Sequence, residues 1–122
     1  MRPAIRLISV IILMSATSCA THNGPIRAAK IKYPELRSIS KATKGQIGSS
    51  TDIIVKERVT GWNIVFCHGW GDCPSGCINN RYWYISVEKT GEVTKIGEYL
   101  SEYDSESNQM KRTGKPHWGI PH

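Results

Sequence analysis

The sequence lacks any apolar run long enough to cross a membrane. Its longest, residues 7–14, is about eight residues, whereas a spanning helix needs roughly 20. It also lacks the pattern of an activated serine, a glycine loop that would cradle phosphate, and a paired-carboxylate site. Cysteine pairs separated by two residues, the usual half of a zinc site, are missing as well. Basic residues are numerous but scattered, without the clustered patch that a nucleic acid requires. These absences point to a small non-enzymatic protein with no cofactor and no nucleic-acid partner. At 122 residues the chain has room for one domain.

What is present begins with an export pattern. Arg2 and Arg6 lead into the apolar run, and small residues Ser15, Ala16, Thr17 and Ser18 follow it. A basic start, a short apolar centre and a small-residue end are the three regions of a secretory signal peptide, expected here over residues 1–18. Removing Arg2 and Arg6 leaves 14 basic residues against 10 acidic, a charge of +4 rather than +6. Ala16-Thr17-Ser18-Cys19 resembles the lipobox of bacterial lipoproteins. That resemblance implies an acylated Cys19 as the new N-terminus and attachment to a membrane through lipid. With Ala20 rather than Asp after the cysteine, it implies the outer membrane, facing the periplasm. Each buried methylene contributes about 0.8 kcal/mol, so several acyl chains hold firmly. Cleavage after Ala20, which would remove Cys19, is the other reading of the same residues.

Residues 19–32 are expected to be the lipidated start and a flexible tether, because Asn23-Gly24-Pro25 reads as a turn. A short helix is expected over residues 33–44. Pro34 and Glu35 suit its first turn, and Leu36, Ile39 and Thr43 form a thin apolar stripe. From Asp52 the period changes to two. Strands are expected over residues 52–59, 62–67, 81–88 and 92–100, with turns at Thr60-Gly61 and Thr90-Gly91. The fold class is therefore α+β: a small four-stranded antiparallel meander with one N-terminal helix packed on it, spanning residues 33–100. Trp62, Ile64, Phe66, Trp83, Ile85 and Val87 share one strand face. Burying each contributes about 1.5–3 kcal/mol before entropy, which makes them the natural core. Residues 101–122 read as a polar C-terminal tail of loop or disorder, in which Trp118 and Ile120 could dock on the sheet or stay free.

The densest chemistry lies around the loop after residue 67, HGWGDCPSGCINN. Exported cysteines tend to pair. With Cys19 acylated or removed, Cys67, Cys73 and Cys77 remain, an odd number. Pro74 and Gly76 suit a type I turn that brings Cys73 and Cys77 together, and Cys67 bonded to one of the two is the alternative. Cys67, His68, Cys73 and Cys77 would also form a valid zinc set, although adjacent Cys67 and His68 point to opposite faces of a continuing strand. The same parity separates them as a catalytic pair. Tyr82 and Tyr84 lie on the face opposite the core and, with Trp70 in the loop, make a possible binding face for an envelope protein or cell-wall partner. The rival reading is that a helix or the tail covers them.

The segment RYWYISVEKTGEV, strand–Thr-Gly–strand, resembles the hairpin of small PepSY-type envelope domains, closest over residues 82–93. That likeness implies a helix-plus-sheet module that inhibits or modulates an envelope enzyme. The GDCPSGC loop departs from that pattern.

Overall fold

The structure, a computed structural model, describes residues 23–42, 49–71 and 77–121. The expected signal peptide, Cys19 and Cys73 lie outside the described residues.

The first element among the described residues is helix α1, Asn23–Lys32. This corrects the flexible tether. Asn23-Gly24-Pro25 starts a helix instead of breaking one, because the first-turn N–H groups have no intrahelical partner and a proline there sacrifices no bond. Ala28 and Ala29 then favour the helix, and Lys30 and Lys32 suit its C-terminal end. The N–H of Tyr33 donates to the carbonyl of Ala29 at 2.9 Å, and Pro34 follows.

The helix expected over residues 33–44 is reduced to a 3-10 turn at Pro34–Leu36, followed by a second turn in which Ile39 N–H donates to the Leu36 carbonyl at 3.1 Å. Leu36 and Ile39 are buried as their spacing requires, but two tight turns suffice to bury them. The cover of the sheet is therefore α1 plus this segment. Lys32 Nζ donates to the Val93 carbonyl at 2.6 Å, and Lys95 N–H donates to Tyr33 Oη at 3.0 Å. Both bonds tie the cover to the sheet.

The sheet has five strands, β1 (Ser49–Arg58), β2 (Gly61–Trp70), β3 (Asn79–Glu88), β4 (Val93–Asp104) and β5 (Gln109–Gly114). They run antiparallel in sequence order, so the meander and the α+β class hold with one strand more than expected. The polar tail is corrected accordingly. β4 runs on past Leu100, and β5 pairs with it from Tyr99↔Gly114 to Asp104↔Gln109. An Asp104 turn joins them, with its carboxylate accepting from Glu106 N–H at 3.2 Å and Ser107 Oγ at 2.8 Å.

Register stacks the first core. Ile53 lies opposite Phe66 and Val55 opposite Ile64; Trp62, Ile64 and Phe66 lie opposite Val87, Ile85 and Trp83. With Ala29, Leu36 and Ile39 above them, these residues form the main cluster. A bulge in β4 pairs Ile85 with Lys95 but Tyr84 with Gly97. Ile96 is the extra residue, and it is exposed. The bulge keeps both ends of β4 in phase with β3.

The opposite face is covered too. Val65, Tyr84 and Ile120 form a second cluster, flanked by Ile54, Cys67, Tyr82, Tyr99 and Trp118. Residues 117–120 make a strap: His117 and Ile120 bridge one another, and Tyr84 Oη donates to the Ile120 carbonyl at 2.6 Å. The docking of Trp118 and Ile120, left open by the sequence, does occur.

Candidate functional site

The proposed binding face does not assemble. Tyr84 has no exposed surface, because the strap lies on it. Its ring meets His117 at 4.9 Å and Trp118 at 5.8 Å, both edge-on. Trp70 falls on the opposite face of the sheet, in phase with Phe66 and His68. β2 continues straight past Cys67 through His68, Gly69 and Trp70, so residues expected in a loop obey strand parity.

Parity also separates the cysteine from the histidine. Cys67 packs in the second cluster, whereas His68 stacks on Trp70 on the other side, ring centroids 5.4 Å apart. They cannot share a metal ion or a proton. Among the described residues no group of three His, Cys, Asp or Glu side chains could hold a metal. Cys67 is a free thiol, which corrects the alternative that bonded it to Cys73 or Cys77. Burial, with the Asp52 carboxylate across the strand pair adding to it, pushes its pKa up to about 12. Nucleophilic attack needs the thiolate, and burial disfavours that form of this thiol. Cys77 is disulfide-bonded; Cys73, the partner that the turn argument gives it, lies outside the described residues.

Two clefts flank the sheet among the described residues, one on each face. The cleft beside the strap has a volume of about 400 Å³, and its walls include Ile54, Cys67, Tyr82, Trp118, Ile120 and Pro121. Tyr82 contributes its ring, stacked 6.0 Å from Tyr99, and burial raises its hydroxyl pKa. Among the described residues that line it, Asp52 and Lys56 are the charged ones.

The cleft on the covered face, about 460 Å³, combines aromatic and charged groups. Glu35, Ser38 and Ile39 of the cover form one wall, and His68, Trp70, Arg81 and Trp83 of the sheet form the other. The Arg81 guanidinium sits over the Trp83 ring at 5.2 Å and pairs with Glu98 at 2.7 Å. Glu98 also binds Lys95 at 2.7 Å, and Lys95 lies 3.6 Å from Glu35. Lys95 and Arg81 together hold the Glu98 carboxyl below its ordinary range, and Glu98 raises the lysine in return. The result is a charged chain along the rim with the Trp70 and His68 rings beside it.

Sequence reasoning picked out Trp70 but gave it the wrong neighbours. Strand parity extended past Cys67 would have placed His68 and Trp70 with Arg81, which lies opposite His68 in the register. Glu35 and Ser38 carried no such signal, since their place depends on how the cover turns at Pro34. Compared with family models, curated proteins and solved structures, the chain finds no match.

Proposed function

We propose that the chain is a non-enzymatic lipoprotein of the bacterial envelope, held to the outer membrane through an acylated Cys19 and acting as a binding or structural module. A disulfide between Cys73 and Cys77 staples the loop beside its binding end. The observation that carries the binding role is the covered-face cleft. There Trp70 and His68 offer flat, stacked aromatic rings next to Arg81 and Glu35, a mixture suited to an envelope protein or a cell-wall polymer that presents both flat and charged groups. Aromatic and arginine side chains side by side are the residues that most often dominate recognition.

Two measurements test this reading. Intact mass of the protein recovered from bacterial envelopes, with and without reduction, reads acylation at Cys19 and counts disulfides. A chain that begins at Thr21 would end the lipoprotein reading. Crosslinked partners are then compared between the natural chain and Trp70→Ala and Arg81→Ala variants. Loss of the same partner in both variants supports the cleft, and an unchanged partner set refutes it.

A further inference from the structure

Helix α1 buries Ala29 against the sheet, with Ile26 partly buried beside it, and turns its charged residues outward. Asn23, Ile26, Arg27, Lys30, Ile31 and Arg37 line a shallow depression of about 310 Å³. Three of these six are cations and none is acidic. Glu35 is the first acidic residue of the whole chain, and it lies against Lys95 on the other side of the cover. Among the described residues Arg27, Lys30 and Arg37 have no carboxylate partner. Beside them Ile31 is 68% exposed, an apolar side chain with nothing packed over it.

The helix also changes how far the domain stands from its anchor. A tether over residues 19–32 could have held it tens of ångströms from a membrane. With α1 beginning at Asn23, only three residues lie between the helix and Cys19. The four residue steps from Cys19 to Asn23 span at most about 14 Å. That is less than two Debye lengths at physiological salt, about 8 Å each. Asn23 itself lines the basic depression, so the chain reaches the domain at the patch.

We propose that the outward face of α1, carrying Arg27, Lys30 and Ile31, lies together with Arg37 of the following turn against an anionic phospholipid surface. The three cations meet lipid headgroups and Ile31 enters the headgroup–acyl boundary. The proximity argument rests on the lipoprotein reading; the charge argument does not. Each cation near such a surface is expected to contribute about fivefold in partitioning, so the three together contribute about 100-fold.

The test is co-sedimentation of the full chain with phosphatidylcholine vesicles, with and without about 30% phosphatidylglycerol. The expected result is stronger binding to the anionic vesicles, which fades as salt is raised. Arg27→Gln, Lys30→Gln and Arg37→Gln combined should remove the anionic preference, by about 100-fold. Lys111→Gln, Arg112→Gln and Lys115→Gln combined remove the same net charge from the opposite end of the sheet and should leave the preference intact. Residues 1–18, where retained, are common to all these chains. Equal binding of the natural chain to both vesicles, or equal loss in both triple variants, would overturn the proposal, and the salt titration needs no variant at all. The mass of Cys19 is read separately. Acylated Cys19 without an anionic preference refutes the surface contact alone. Unmodified Cys19 with the preference intact refutes the anchor alone.

Discussion

The strap over the second face rests on one buried hydrogen bond, and Tyr84→Phe removes that bond while keeping the ring. The phenol donates to the Ile120 carbonyl at 2.6 Å, with Tyr84 fully buried and Ile120 nearly so. Leaving the carbonyl buried and unpaired costs about 1–3 kcal/mol. Burying Ile120 contributes about 1.5–3 kcal/mol, which is of the same size. The variant therefore escapes its penalty by letting the strap lift. The population with residues 117–121 undocked should rise about 5- to 150-fold. The backbone offers a direct reading, since Ile120 N–H donates to the His117 carbonyl at 3.1 Å only while the strap is folded. Hydrogen exchange in the C-terminal peptide should accelerate by that factor, with exchange in β2 and β3 changing far less. If exchange in the C-terminal peptide is unchanged while the urea midpoint falls by the whole penalty, the strap is not a separate unit and the reasoning fails.

Three further predictions concern the same two faces. A Cβ on Gly97, which lies opposite Tyr84, would come within 2.9 Å of His117 Nε2, so Gly97→Ala should loosen the strap by about 1 kcal/mol and reproduce the exchange pattern of Tyr84→Phe. A Cβ on Gly61 would lie 2.1 Å from the Val87 carbonyl oxygen; this is backbone, which cannot swing away, so Gly61→Ala should cost about 3 kcal/mol or more in a urea melt. Cys67 and Tyr84 both have their pKa raised to about 12, from ordinary values of 9.0 and 10.0. The folded state thus keeps protons that the unfolded chain releases. Their contribution is complete below about pH 9 and is lost as pH rises towards 12, so the urea midpoint should fall across that window, and Cys67→Ala should delay the onset to about pH 10. A midpoint flat from pH 8 to 11 would contradict the burial of both groups.

The sheet was legible in the sequence because its main face alternates. Trp62, Ile64 and Phe66, and likewise Trp83, Ile85 and Val87, are apolar at every second position, and register then places them opposite one another. The fifth strand has no such mark. QMKRTG is an edge strand with five of its six residues exposed, held by backbone bonds to β4 that leave no trace in side-chain pattern. Helix α1 was hidden for the opposite reason: Asn23-Gly24-Pro25 is good turn chemistry and also good helix-start chemistry, and only packing of Ala29, Ile26 and Tyr33 on the sheet decides between them. The fate of Tyr84 was equally out of reach, since what covers it comes from a segment 36 residues further along the chain.

The sequence-ordered meander bears on how the molecule comes together as its chain is made. Each strand pairs with the one just before it, so the sheet can extend strand by strand without waiting for distant partners. The face beneath α1 can close as soon as β4 is added. The other face cannot, because its lid, residues 117–120, follows every strand in the sequence. Until Ile120 is in place, Val65 and Tyr84 stand bare, with the rings of Tyr82 and Tyr99 beside them. A chain that stops before His117 would keep every strand and still present that aromatic surface to its neighbours, as a sticky and aggregation-prone species.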